Sequence, residues 1–93
     1  MILHVMYKTF DGKRDDYINE INKSKVLDLI RNEDGCISYN YYLDTSDNNT
    51  ILLVEEWESK DKQTVHMKQE HMKTLVQIKN KYISNTTVRT FGE

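Results

Sequence analysis

TILLVEEWES, at residues 50–59, is the stretch of sequence that decides the fold. Its four consecutive apolar residues, 51–54, are typical of a β-strand that is covered on both faces. The opening segment, residues 2–7, reads ILHVMY and is nearly as apolar. We therefore predict that these two segments are the central strands of one sheet.

The segments on either side supply the other elements. Cys36 to Leu43 alternates apolar and polar residues with the period of a strand, and the turn residues 44–49 join it to residues 50–57 as a hairpin. The remaining predictions are a helix at Lys13–Asn32, a helix that starts near Lys60 with Ser59 as its N-cap, a helix that carries Met72, Leu75, Ile78 and Tyr82, and a last strand at Ile83–Phe91.

The order of these elements is βαββαβ, which is the order of ferredoxin-like α+β domains. That topology places the first and third strands in the middle of the sheet, and these are the two strands with apolar residues on both faces. Two helices cover only one face of such a sheet, and an exposed apolar face invites aggregation. We therefore predict one domain over residues 1–93 and a homodimer in which the sheets of two copies pack together.

The first predicted helix contains an irregularity. Tyr17 and Ile21 lie on one face, whereas Leu27 and Ile30 lie on a face turned well away from it. The apolar stripe changes position across residues 22–25. Either the helix bulges or bends there, or its last turns bury a second surface such as a dimer partner.

Composition excludes several classes of protein. Thirteen basic and fifteen acidic residues give a net charge of -2, with both signs interspersed along the chain. This pattern lacks the basic stripe that nucleic-acid binding requires. The single cysteine, Cys36, allows no internal disulfide and is interpreted as a small buried hydrophobe in a reducing compartment. Residues 1–10 have neither a signal-peptide pattern nor a membrane-length apolar run, so we expect a cytoplasmic protein without nucleic-acid or membrane partners.

The candidate site surrounds Trp57. This residue ends the apolar strand, and two candidate catalytic residues, His66 and His71, follow in the helical segment that is expected to fold back over the strand. Tryptophan offers a large flat apolar surface, and imidazole takes or gives a proton near neutral pH. A base beside such a surface suits proton abstraction from a phenol. We favour His66 as the base because it lies on the short helix directly after Trp57, whereas His71 follows a predicted helix break at residues 68–70.

Tyr39, Tyr41 and Met72 are the other candidate substrate-binding residues. The two tyrosines are expected to share one strand face with Ile37 and Leu43, where their hydroxyls could reach a substrate oxygen. They are equally good strand formers at a sheet edge. Met72 could either contact a substrate or fill the pocket together with other side chains.

Structural roles are the alternative for the aromatic and imidazole groups. Trp57 and His66 could be core residues, His71 could pack at the helix break, and His4 is interpreted as a satisfied core histidine. A separation of five residues turns a helix by about 500°, which leaves about 140° between the two later histidines. Because no third ligand accompanies them, we predict no metal site.

Three groups of residues resemble the antibiotic biosynthesis monooxygenase domain superfamily. They are EDGCISY at residues 33–39, EEWES at residues 55–59, and His66 together with HMK at residues 71–73. The likeness covers essentially the whole chain, including the GKR at residues 12–14, and is closest to the small quinol monooxygenases. It implies a dimeric α+β barrel with a pocket between sheet and helices in each subunit. It also implies oxidation of a small quinol or phenol by O₂ with no cofactor: no flavin, haem or metal.

Two departures from the family pattern bear on the activity. Members that oxidise polyketides have a polar amide four residues before the tryptophan, where this chain has Leu53. The haem-degrading members need an axial histidine late in the second helix and an asparagine in the first strand, and neither is present here. Because the superfamily also contains an isomerase of a phosphorylated signalling sugar, such an isomerase remains an alternative, as does a non-catalytic ligand-binding or stress-associated dimer.

Overall fold

A computed structural model describes residues 1–92 of the chain. Its elements are β1 (Ile2–Thr9), α1 (Arg14–Ser24), α2 (Val26–Arg31), β2 (Cys36–Leu43), β3 (Thr50–Trp57), α3 (Lys60–Met67), α4 (Met72–Tyr82) and β4 (Ile83–Phe91). None of the helices in this part of the chain is long and apolar enough to cross a membrane.

The sheet has the strand order β2-β3-β1-β4, and every neighbouring pair is antiparallel. The prediction that the two apolar strands are central is therefore confirmed, and so is the ferredoxin-like α+β fold. Val5 and Leu53 are partners in the register of β1 and β3, and both are buried beneath the helices. This inner face of the sheet carries the core of the domain.

Within residues 1–92, no helix covers the outer face of the sheet. Met6, Leu52 and Tyr42 form one row across β1, β3 and β2 on this face. Met6 is 46% exposed and Tyr42 is 53% exposed, although both are large apolar side chains. The sheet face that motivated the dimer prediction is thus open in the single chain, and the dimer stays a prediction.

The predicted helix at residues 13–32 is two helices. Lys25 separates them with a left-handed backbone, at a φ of 65°. Ser24 supports the bend, since its hydroxyl donates to the Ile21 carbonyl and accepts from the Val26 amide. The bend reorients the second helix, so that Ile21 and Ile30 are both completely buried within the same core. A bend, and not a second interface, therefore accounts for the displaced apolar stripe.

Replacing Lys25 by glycine is expected to stabilise the protein. The left-handed conformation costs an L-residue roughly 1–2 kcal/mol, and glycine avoids that cost. Part of the gain is offset by the greater freedom of glycine in the unfolded chain, so we expect Lys25→Gly to raise the free energy of unfolding by about 0.5–1 kcal/mol. Lys23→Gly, inside α1, is the matched control and should lower it by a similar amount. Urea unfolding at equal protein concentration measures both, and equal losses in the two variants would contradict the argument.

Three smaller expectations need correction. Ile37 does not share the face of Tyr39, because the register of β2 shifts between Cys36 and Ser38 and leaves Ile37 55% exposed. His4 is not a core histidine: it is half-buried on the outer face, where its ring lies 4.7 Å from that of Phe91. Cys36 is also half-buried, since the edge strand is only partly covered.

Candidate functional site

A cavity of about 230 Å³ lies between the inner face of the sheet and the helices α3 and α4. Most of its lining is apolar, and its mouth is marked by the exposed side chains of Met67, Val76 and Val88. Its lining also includes polar and aromatic groups from five elements, namely Tyr7, Tyr39, Glu55, His66 and Lys79. An apolar cavity with a few convergent polar groups is typical of a small-molecule site.

His66 is the imidazole at this cavity, and the start of α3 positions it. The Ser59 hydroxyl accepts a hydrogen bond from the Lys62 amide, as predicted for an N-cap, so that α3 begins directly after β3. His66 lies in the last turn of α3 and is only 1% exposed. The predicted break follows, since α3 ends at Met67 and α4 begins at Met72.

Glu33 holds the imidazole in place. His66 Nδ1 lies 3.0 Å from both carboxylate oxygens of Glu33, and His71 Nε2 lies 2.6 Å from Oε2 of the same carboxylate. A carboxylate only accepts hydrogen bonds, so Nδ1 of His66 carries its hydrogen and Nε2 is the nitrogen left to accept a proton. Nε2 has no protein partner within residues 1–92, and His66 lines the cavity. The arrangement is that of an oriented general base.

The turn after α2 brings the Glu33 side chain into contact with His66 and His71. Gly35 adopts a φ of +88°, which reverses the chain into β2, and the Glu33 side chain is only 8% exposed. The sequence motif around Glu33 was recognised, but no role was predicted for the carboxylate. A glutamate before a glycine turn gives no local indication that it faces two histidines more than thirty residues away.

Trp57 packs against the His66 ring and does not line the cavity. It is completely buried, and its ring lies 4.5 Å from that of His66 at an angle of 36°. Its indole Nε1 donates a hydrogen bond of 3.0 Å to Glu55 Oε1. The interpretation of Trp57 as a surface for the substrate ring is therefore corrected: Trp57 packs against the imidazole and fixes Glu55.

The other predicted site residues divide into two groups. Tyr39 and Met72 line the cavity, and the Tyr39 ring lies 5.7 Å from that of His66. Tyr41 lies outside the cavity, where its hydroxyl is 2.8 Å from that of Tyr17. His71 also lies outside it, where its Nε2 contacts Oε2 of the Glu33 carboxylate. Among the described residues, no three His, Cys, Asp or Glu side chains are arranged to hold a metal ion.

Burial alters the ionisation of the groups in the cavity. Burial raises the pKa of Glu55, and this effect exceeds the opposing effects of the Trp57 hydrogen bond and of the His66 and Lys79 charges. Burial lowers the pKa of Lys79. It also raises the pKa of the Tyr39 phenol well above its usual value, so that this hydroxyl stays neutral. Glu55 and Lys79 were not predicted as site residues, although the alternation of β3 placed Glu55 on the same face as Trp57.

Glu55→Gln is expected to change how stability depends on pH. The folded pKa of Glu55 is raised, so the unfolded chain releases this proton first as the pH increases. The wild type should therefore lose stability from about pH 4, the usual range of an unfolded glutamate, up through the raised folded value. Glutamine keeps an acceptor for the Trp57 indole and should not show this loss. Urea unfolding between about pH 4 and 8 measures it, with the exposed Glu58→Gln as control. A wild-type pH profile in Glu55→Gln would contradict the expectation.

Fold and site together define a small ferredoxin-like α+β domain with a carboxylate-oriented imidazole at an apolar cavity. Residues 1–78 match the model of the family described as antibiotic biosynthesis monooxygenase, and the chain belongs to this family. No curated protein matches the sequence.

Solved structures share the fold. PA3566 from Pseudomonas aeruginosa has a TM-score of 0.84 at 17% identity, with 99% of this chain and 91% of that chain covered. A protein from Nitrosomonas europaea has a TM-score of 0.87 at 12% identity, with coverages of 99% and 88%. The crystal structure of an antibiotic biosynthesis monooxygenase has a TM-score of 0.83 at 20% identity, with coverages of 100% and 98%. At these identities the likeness establishes the fold alone.

Proposed function

We propose that the protein is a cofactor-independent monooxygenase that oxidises a small quinol or phenol with O₂. The observation that carries this proposal is the orientation of His66. Its Nδ1 is held by the buried Glu33 carboxylate, and its Nε2 has no partner among residues 1–92, while the residue lines an apolar cavity. A base that is fixed at a mostly apolar cavity suits proton abstraction from a hydroxyl group.

The chemistry needs little more than this base. Nε2 of His66 takes the phenolic proton, and the electron pair of the O–H bond stays on the substrate. The electron-rich anion gives one electron to O₂, and the resulting radical pair combines to a peroxide that breaks down to a quinone and water. The protein orients the substrate, holds the proton and excludes bulk water.

The size of the cavity limits the substrate. A buried apolar cavity of roughly 150 Å³ is large enough for benzene. At about 230 Å³, this cavity has room for one substituted aromatic ring and O₂, and not for a large polycyclic substrate. Tyr39 and Met72 supply an aromatic face and a polarisable thioether against such a ring. The apolar lining is less suited to a phosphorylated sugar, whose phosphate needs several charged or backbone donors.

Oxygen uptake tests the proposal directly. The purified protein is mixed with a panel of quinols and phenols in the presence of a metal chelator, and O₂ consumption is followed with an electrode. We expect at least one single-ring quinol to accelerate uptake above the rate in buffer. Stoichiometric haem or flavin in the purified protein would contradict the proposal, and so would a panel without any active member. Binding without turnover would favour a non-catalytic ligand-binding protein.

We also propose that the functional unit is a homodimer formed by the outer faces of two sheets. Met6, Leu52, Val54 and Tyr42 give that face an apolar centre, which the helices leave uncovered. Burial of this face could remove several hundred Å² of apolar surface per subunit, a gain on the order of 10 kcal/mol before the costs of association.

A further inference from the structure

Lys79 is a cation at the cavity, and it has no role in the pair formed by His66 and Glu33. It lies on α4, lines the same cavity as His66, and is half-buried. Its Nζ is 4.9 Å from the centroid of the Tyr7 ring. The other lysines of α4 differ: Lys73 pairs with Glu70 and Lys81 pairs with Glu20 in exposed positions.

The Lys79 ammonium lacks the partners that normally accompany a cation away from water. Within residues 1–92 it makes no hydrogen bond or ion pair; the Tyr7 ring lies 4.9 Å from its Nζ, and the charge of Glu55 acts on it and partly offsets the effect of burial on its pKa. Glu55 lies in the same cavity and forms no ion pair with Lys79, and its Oε1 accepts from the Trp57 indole. Partial burial removes part of the hydration of this cation, and an anionic ligand in the cavity would replace it with a charged acceptor.

We propose that Lys79 binds the oxygen from which His66 removes the proton, so that the cavity selects aromatic substrates that bind as phenolates. This inference rests on the proposed function and names the ionic form of its substrate. In this step the O–H bond breaks, the proton moves to His66 Nε2, and the electron pair remains on the oxygen as a negative charge. The Lys79 ammonium stabilises that charge, as a preorganised cation does in a cavity of low dielectric.

The neighbouring groups are compatible with an anion at this position. The titratable groups at the cavity are Tyr7 on β1, Tyr39 on β2, Glu55 on β3 and His66 on α3. Burial raises the pKa of both tyrosines, so they remain neutral hydrogen-bond donors. Burial raises the pKa of Glu55 as well, which makes it easier for this carboxylate to take up a proton when an anion enters. The cavity wall from β4 contributes Thr86 and Val88, which carry no charge.

The test uses 4-nitrophenol, whose anion absorbs visible light and whose neutral form does not. The pH at which the bound probe ionises is compared with that of the free probe in the wild type, Lys79→Met, Lys79→Arg and the control Lys73→Met. Lys73 lies on the same helix but outside the cavity. The control therefore removes the same charge from α4 without changing the cavity. Nitrobenzene, which has no ionisable hydroxyl, reports in parallel whether each variant still forms the cavity.

We expect the wild type, Lys79→Arg and Lys73→Met to bind the phenolate preferentially and to ionise the probe at a lower pH than in water. Lys79→Met should bind the phenolate roughly 10–100-fold more weakly. The pKa of the bound probe should then be about one to two units higher than in the wild type, while the affinity for nitrobenzene is unchanged. The proposal is overturned if Lys79→Met ionises the bound probe like the wild type, or if the wild type does not lower its pKa. Preferential phenolate binding without O₂ uptake would support the anion site and contradict the monooxygenase.

Discussion

His66→Gln is expected to lower kcat by roughly 10²–10⁴-fold with any quinol that the wild type turns over, since that is the usual contribution of a general base. Glutamine can still donate a hydrogen bond to the Glu33 carboxylate, so the packing beside Trp57 should persist. It cannot take up a proton near neutral pH. Stopped-flow O₂ uptake at saturating quinol measures kcat, and the melting temperature verifies that the variant is folded.

His71→Gln is the matched comparison. His71 contacts the same carboxylate but does not line the cavity, so we expect turnover within a few-fold of the wild type. Glutamine can place its amide nitrogen near the position of Nε2 and still donate to Glu33, so the loss of stability should stay below the about 1.5–3 kcal/mol of a lost hydrogen bond to a charged group. If His66→Gln turns over normally, the assignment of the base is wrong. If both variants do, a tyrosine of the cavity or a water molecule becomes the better candidate.

The structure adds a reason why the two histidines should differ. Both imidazoles donate to Glu33, but only His66 also packs against the tilted Trp57 ring and lines the cavity. The carboxylate fixes the tautomer of His66 and can stabilise the imidazolium that forms when the proton arrives. His71 in turn helps to hold Glu33 in a position where only 8% of its side chain is exposed. In the proposed reaction, His66 therefore takes up the proton, whereas His71 holds the Glu33 carboxylate in place.

The fold could be predicted from local patterns. The doubly apolar residues 51–54, the alternation in β2 and the Ser59 cap are each properties of a few neighbouring residues; they identify elements, and the order of the elements then predicts which strands are central. The bend at Lys25 was harder to predict from the sequence, because the left-handed residue is not a glycine. The displaced apolar stripe was the only indication that the helix is interrupted.

The site was harder to predict because its chemistry depends on contacts between distant residues. The carboxylate of Glu33 and the ring of His66 are 33 positions apart in the chain. Lys79 lies on an amphipathic helix among other lysines, where a charged side chain normally faces solvent. Its position at the cavity depends on how α4 crosses the sheet, which periodicity does not specify. Trp57 was recognised, but its burial behind His66 follows from the packing of α3 on β3.

Leu52→Asp is expected to abolish the homodimer. Leu52 lies in the middle of the outer sheet face, between Met6 on β1 and Tyr42 on β2. If two such faces pack together, the aspartate would be desolvated without a cationic partner, which costs about 3–5 kcal/mol per buried charge. Because both subunits carry the change, the dissociation constant should rise by at least 10²–10³-fold. Light scattering at micromolar concentration should then report a monomer or an unfolded chain.

Leu29→Asp distinguishes the sheet face from the rest of the surface. Leu29 is 54% exposed on α2, on the helical side of the domain, so the same substitution there adds a charge without burying it. We expect this variant to remain dimeric and to melt close to the wild type. A wild type that is monomeric at micromolar concentration contradicts the dimer outright. If both variants dissociate, the interface includes the helices, and if neither does, it lies elsewhere than the outer face of the sheet.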